Sequence, residues 1–442
     1  MGQARASDVR PVDFRVEFVD VALDPPFVIS GRPMTHFTAA AVHLDVQTRD
    51  GRAATGLGAS MLSVPWAWPS RGAEVPGPDI EARDDVLRGL VHTFADQVLA
   101  GVGGDPFDIW RPIYHRLDET LTLAARSAGS PPIPRLAGLL ALAAVDNAVH
   151  DAWSRAAGRS VYEMYSDEYL NEDLGWAGLP GTYPGDHLGQ PRNAIPVQHV
   201  LGVGDPLTDA AAGAEPGARS LNSWMAAEGI KDLKLKLQGS PSADAERIAA
   251  VYRVGSAARD DVTLSIDPNE AYGTVAELDQ MLDELETLAP RAAAAVTYLE
   301  QPFPRDVAPD AEQMKALARR TPLLMDEGYS RLSQLDDLVD RGWSGVVIKA
   351  SKGQSHAMAT YAIARSRGLQ VVIQDLTTTG AALEHSIGLA SALQVTWPHL
   401  EYNSRQYAPG ANEELAARSP GLVTVRDGQV RFTRAASGLY GA

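Results

Sequence analysis

The 442 residues carry 39 Lys and Arg against 56 Asp and Glu, and the resulting net charge of −17 repels phosphate backbones and anionic lipid, which argues against a nucleic-acid or membrane-surface role. With 45% hydrophobic residues, 21% charged residues, and 39 Gly and 29 Pro spread along the chain, the composition is that of a globular protein; disorder, collagen and a coiled coil are excluded. Cysteine is absent, so disulfides, thiolate zinc sites, iron–sulfur clusters and a cysteine nucleophile are excluded, and any metal must be held by oxygen or imidazole. No apolar run approaches the length of a membrane span and the first residues lack the apolar stretch of a secretory signal, so the expectation is a soluble cytoplasmic protein.

From Val16 to Thr48 apolar and polar residues alternate, and Asp50-Gly51 follows as a hairpin turn, which predicts antiparallel strands. The segments Ile80 to Gly101 and Ile133 to Arg155 repeat apolar residues at three and four and predict helices. Residues 1–170 therefore read as an α+β unit, closed by a Gly/Pro-rich connector around Gly181-Thr-Tyr-Pro-Gly-Asp. Gly101-Val-Gly-Gly follows a helix and not a strand, so it reads as a helix C-cap and loop, not a phosphate cradle.

Beyond the connector, eight short apolar runs recur with helical stretches between them: Ile195–Val200, Leu233–Lys236, Val262–Asp267, Val296–Glu300, Leu323–Asp326, Val346–Lys349, Val371–Asp375 and Val395–Glu401. Strands of this kind are buried on both faces and parallel, and eight of them over residues 195–405 suit a closed TIM-type (β/α)8 barrel, with an open doubly wound sheet as the alternative. The fold class is thus α/β.

Seven of these runs end in ionisable residues: Lys234 and Lys236, Asp267, Glu300, Asp326, Lys349, Asp375 and Glu401. Barrel enzymes assemble their sites at the C-terminal ends of the strands. A ring of charges at that rim is costly unless its members are paired or liganded, so it is hard to explain as structure alone. Asp267, Glu300 and Asp326 follow one another on consecutive strands, and an all-oxygen set suits Mg2+, with Mn2+ as the second choice. Lys236 and Lys349 lie on either side of them in strand order. An ammonium crowded by a second ammonium and a divalent cation has its pKa lowered, so one lysine is able to act as base while the other acts as acid. A metal on a substrate carboxylate stabilises the enediolate formed when the adjacent proton is removed.

On these residues the chain resembles the enolase superfamily, in its mandelate racemase and muconate-lactonizing branches. Lys234-Leu-Lys236 resembles the family's K-x-K on strand two, and Asp267 in Ser-Ile-Asp-Pro-Asn its first metal ligand. Glu300 in Leu-Glu-Gln-Pro resembles the second ligand and Asp326 in Met-Asp-Glu-Gly the third; Glu327 is the rival for that place. Lys349, with Lys352 as a weaker rival, falls where the lysine/lysine (muconate-lactonizing-like) members carry their strand-six lysine, and no His–Asp dyad accompanies it. The resemblance implies a modified (β/α)7β barrel, an N-terminal α+β capping domain, and residues 406–442 returning to the cap. It also implies loops at about Asp24–His36 and Gly58–Ser70 that close the barrel mouth, and a homo-oligomer from dimer to octamer. The implied activity is Mg-dependent α-proton abstraction from a small-molecule carboxylate substrate, as a racemase or epimerase. An acid-sugar dehydratase or cycloisomerase is the alternative on the same scaffold, and a metal-dependent binding protein without turnover is a third reading. No serine nucleophile elbow is present.

Further candidates for substrate binding are Asp375, Glu401, and His199 at the end of the first run. Phe27, Trp66 and Trp68 lie in Pro-rich cap loops, where tryptophans are costly unless they cover something, and they are candidates for lining an apolar or cationic pocket. His385 and His399 read as structural.

Overall fold

The computed structural model of the protein describes residues 4–29, 32–69, 77–212 and 219–441. Alternation at the N-terminus produces a three-stranded antiparallel sheet in the order β1 (Val9–Ile29), β2 (Arg32–Thr48), β3 (Ala53–Leu62). The Asp50-Gly51 turn joins β2 to β3, with Gly51 at φ 91. Between Leu62 and the barrel come α1 (Val64–Ala67), α2 (Gly77–Leu99), α3 (Pro106–His115), α4 (Leu117–Ala128) and α5 (Arg135–Ala157). Gly103 and Gly104 run back against β1, where Gly104 and Val9 exchange backbone hydrogen bonds, so this glycine loop is an edge of the cap.

α5 is buried around nearly its whole circumference, with its few polar side chains paired inside the protein. Its small residues let β3 lie directly on it: a Cβ at Gly58 would stand 1.9 Å from the Ala144 carbonyl oxygen, and one at Gly56 2.4 Å from that of Ala148. Glycine is required at both positions, and the tight seat fixes where β3 delivers α1.

The second sheet is an eight-stranded parallel ring: β4 (Ala194–Leu201), β5 (Asp232–Lys236), β6 (Thr263–Asp267), β7 (Val296–Glu300), β8 (Leu323–Met325), β9 (Gly345–Ile348), β10 (Gln370–Ile373) and β11 (Leu400–Glu401), closed by pairing of β11 with β4. It is the TIM-type barrel that the strand spacing predicts, joined to the N-terminal capping unit that the resemblance implies. Three details differ from that expectation. The eighth strand is only two residues long, because Pro398 has no N–H for a ladder and Val395–His399 runs outside it. The connection from β8 to β9 carries a single 3-10 turn, Leu332–Leu335, in place of a helix. A further strand, β12 (Gln429–Arg431), adds antiparallel to β4. The last described residues reach the cap, where Leu439 N–H donates to Asp151 and Tyr440 Oη to the Leu57 carbonyl. Among the described residues no helix is long and apolar enough to cross a membrane.

Cap and barrel are joined at the helix Gln354–Ser366, which follows the strand carrying Lys349. Asp146 of α5 accepts from Ser355 N (2.8 Å) and Ser355 Oγ (2.6 Å), and Asn147 Oδ1 accepts from Gln354 N (3.0 Å), so two cap side chains supply the N-terminal partners of a barrel helix. His150 Nε2 lies 2.8 Å from Ser355 Oγ; this Asp/His/Ser group is wholly buried and reaches no solvent. Burial pushes the Asp146 carboxyl up to about 7 from its ordinary 3.8. A raised folded-state pKa means that the native protein holds this proton more tightly than the unfolded chain, so the contribution of Asp146 to stability is full below about pH 4 and declines as pH rises toward 7. Asp146→Asn is expected to flatten that decline. Urea unfolding of both proteins at pH 4.5 and 7.5 checks it, and a wild-type-to-variant difference that does not change with pH would refute it.

Candidate active site at the barrel mouth

Side chains in a strand point to alternate faces, and across this ring the inward set is Gln198, Lys234 and Lys236, Ser265 and Asp267, Tyr298 and Glu300, then Asp326, Lys349, Gln374, and His399 with Glu401. The lower layer is a closed polar network. Gln198 Nε2 donates to Ser265 Oγ (2.9 Å) and Tyr298 Oη (3.2 Å), and Gln374 Nε2 donates to Tyr298 Oη (2.5 Å). His399 Nε2 lies 3.0 Å from Gln198 Nε2.

Above it sits the charged layer. The Lys234 ammonium, fully buried, lies 3.0 Å from Asp267 Oδ2, 2.9 Å from Glu300 Oε1 and 2.9 Å from Glu401 Oε2. Lys236 Nζ meets the same Asp267 oxygen at 2.6 Å. Lys349 Nζ lies 2.8 Å from Asp326 Oδ2 and donates to the Asp375 carbonyl at 3.2 Å. Lys352 Nζ takes the other side of Asp326, donating to Oδ1 (3.2 Å), to its carbonyl (2.8 Å) and to that of Tyr329 (3.1 Å).

Burial opposes every one of these charges, and the outcome depends on the partners. At Asp267 burial is outweighed by Lys236 and Lys234, which hold its carboxyl below the ordinary range; Lys349 and Lys352 do the same at Asp326. Glu300 goes the other way: burial and the neighbouring Asp267 and Asp326 drive it well above its ordinary value, despite Lys234. Burial lowers Lys349, but Asp326 and the other acids outweigh it and hold the ammonium above its usual pKa. Carboxylates are the nearest partners of Lys349 here, whereas the lowering expected from sequence belongs to a lysine facing a divalent cation as well as a second ammonium.

The cap closes over this layer through α1. Trp66 lies with its ring centroid 4.6 Å from Lys349 Nζ and 5.8 Å from Lys352 Nζ, and its indole N–H donates to Glu327 Oε1 at 3.0 Å. Trp66 is 3% exposed and Lys349 5%. Phe27, near the tip of the β1–β2 hairpin, packs on Tyr407 with ring centroids 4.5 Å apart. Of the two predicted cap loops, residues 30–31 and Ser70 lie outside the described residues.

The structure brings together Lys234, Lys236, Asp267, Glu300, Asp326, Lys349, Glu401 and Trp66. It turns the side chains of three other candidates to other partners. His199 follows inward-facing Gln198 and so points outward; its Nδ1 lies 2.7 Å from Arg405 Nη2 and its ring packs on Trp224. Trp68 turns into the cap, where Arg83 stacks on it and donates to its carbonyl. Asp375 bends back to accept from the Thr378 N–H and hydroxyl, and burial pushes its carboxyl up to about 7. Glu327 contacts Trp66 and Asn269 Nδ2 (3.0 Å), whereas Asp326 faces the lysines. Sequence reasoning passed over Tyr298, Asn269, Glu270 and Arg305. The last three tie the rim to the cap; Asn269 closes the Ser-Ile-Asp-Pro-Asn motif, whereas no local pattern marks Glu270 or Arg305.

Among the described residues no three acidic or histidine side chains stand close enough, as placed, to enclose a metal ion. The donor chemistry nevertheless fits a hard cation. Glu300 Oε2 is buried without a hydrogen-bond partner, and the mutual repulsion that raises Glu300 is what a divalent charge relieves.

Comparison with known proteins agrees with this fold. No curated protein sequence matches the chain significantly. Among solved structures, the dipeptide epimerase of Methylococcus capsulatus, complexed with Mg and the dipeptide L-Arg-D-Lys, superposes with TM-score 0.63 at 20% identity, over 98% of this chain and 99% of that one. The L-Ala-D/L-Glu epimerase of Bacillus subtilis gives 0.62 at 18% identity over 91% of each chain. The muconate lactonizing enzyme of Pseudomonas fluorescens complexed with muconolactone gives 0.61 at 17% identity, over 98% of this chain and 96% of that one. Residues 218–439, half of the chain and nearly the whole barrel, match the model of the enolase C-terminal domain-like family, and the protein belongs to that family.

Proposed function

We propose that the protein is a racemase or epimerase that removes and returns the α-proton of a small-molecule carboxylate substrate, with Mg2+ as its metal. The observation that carries this reading is the placement of two lysines four strands apart in an eight-strand ring, Lys236 at the end of β5 and Lys349 just after β9, with Asp267, Glu300 and Asp326 at the ends of the strands between them. Two amines on opposite walls address the two faces of one carbon: one takes the proton and the other delivers a proton from the far side. Lys234 transfers no proton in this scheme; its ammonium holds Asp267, Glu300 and Glu401 in position. A divalent cation held by Asp267, Glu300 and Asp326 would supply positive charge to the enediolate oxygens and compete with the lysines for those carboxylates. Trp66 covers Lys349 and excludes water from it. His199 and Asp375, on which an acid-sugar dehydratase would draw, are engaged elsewhere, which favours the isomerase reading.

The test is solvent exchange. Protein with Mg2+ in heavy water, offered pooled N-acyl amino acids, dipeptides, sugar acids and betaines, is expected to incorporate α-deuterium into one class without loss of mass as water, and chelator is expected to abolish it. Product lighter by one water would establish elimination instead. Tight magnesium-dependent binding with no exchange would point to a binding protein.

A further inference from the structure

The turn that carries Trp66 is held to the barrel rim by side chains that no proton-transfer step requires. Arg305, in the segment after β7, donates from Nη2 to the Trp66 carbonyl (2.9 Å) and from Nη1 to that of Ala67 (3.4 Å). Glu270 grips that guanidinium along one edge with both oxygens, at 2.9 Å to Nε and 2.6 Å to Nη2, and also accepts from the Arg305 backbone N–H. A planar fork held by one carboxylate while reaching two main-chain oxygens fixes orientation as well as distance. From the other side, Glu327 Oε1 receives both the Trp66 indole N–H and the Asn269 amide.

The loop supplying Asn269 and Glu270 is itself constrained. Both residues are in the left-handed region, at φ 45 and 68, as is Gln301 at φ 34, and Glu270 N donates to the Gln301 carbonyl at 2.9 Å. Non-glycine residues persist there only where their surroundings impose it. α1 by contrast is a four-residue helix with no side-chain cap, too short to hold itself in place. Its position over Lys349 therefore depends on the rim contacts. With Trp66 seated there, Lys349 has almost no open face, so a substrate carboxylate reaches it only when the turn lifts.

We infer that Arg305 and Glu327 form a latch that seats the Trp66 turn over Lys349 and that its release admits substrate, which makes Arg305 a positioning residue for the lysine chemistry. The consequence for catalysis rests on the reading of Lys349 as acid and base; the latch itself does not.

Hydrogen exchange and lysine acetylation on the full chain without substrate test it. Arg305→Gln is expected to raise exchange at the Ala67 and Trp68 amides, which close the turn on Ser63 and Val64, and acetylation of Lys349, each at least tenfold, while exchange across Thr263–Asp267 stays unchanged. Trp66→Phe keeps a ring over Lys349 but loses the N–H to Glu327, and is expected to give a smaller rise confined to the same segment. No rise in either variant would overturn the proposal, and so would a rise spread equally over the barrel strands in both, which would mark these residues as general packing. Failure of the proposed reaction would be seen separately, as unchanged turnover in Lys349→Ala.

Discussion

Alanine in place of Lys349 is expected to slow interconversion of the substrate's two stereoisomers by about 10²- to 10⁴-fold, the usual contribution of a positioned acid or base. The isomer whose α-proton faces Lys236 is expected to go on exchanging that proton with solvent. The reason is topological: Lys236 and Lys349 stand on opposite walls of the ring, so each serves one face of the carbon and the loss of one leaves the other face supplied. Proton NMR of each isomer incubated separately in heavy water with the variant separates the two effects. Equal loss of exchange from both isomers would mean that Lys349 does something other than one-sided proton transfer.

Replacing Lys234 by methionine is expected to destabilise the fold by roughly 3–5 kcal/mol, the cost of breaking a buried ion pair from one side. Its ammonium is the shared partner of Asp267, Glu300 and Glu401, and among the described residues it is the ion-pair partner seen at Glu300. Lys231 provides the contrast. It pairs with Asp261 at 3.1 Å, but both side chains are 43% exposed, so Lys231→Met is expected to cost less than about 1 kcal/mol. Urea unfolding of the two variants side by side measures this difference. Equal small effects would show that the buried network contributes nothing to stability.

The barrel was legible because its strands are buried on both faces, which makes each a short apolar run, and because helices separate most of them at nearly regular spacing. The charged layer was legible for a related reason: an ionisable residue closing an apolar run is conspicuous where the interior tolerates few charges. What alternation allowed but the reading did not use is the facing of His199. Gln198 and His199 are adjacent, so only one of them enters the barrel, and the glutamine does because Ser265, Tyr298 and His399 satisfy it there. Asp375 likewise had a local competitor in Thr378, three residues on, whose N–H and hydroxyl capture the carboxylate.

The sequence alone determined the element types, the number of barrel strands and the positions where acids and lysines meet the rim, since these follow from periodicity and the cost of burying charge within single segments. Only the tertiary structure decided which carboxylate each lysine takes, that Trp66 and not Trp68 covers Lys349, and that Arg305 and Glu327 hold it there. Trp66 and Glu327 are 261 residues apart in the chain, and a hydrogen bond between them leaves no trace in the local pattern of either segment. Such a contact depends on how cap and barrel seat on each other, which is set by close approaches such as that of Gly58 to Ala144 and by the capping of Ser355 by Asp146, each of them a fit between distant surfaces.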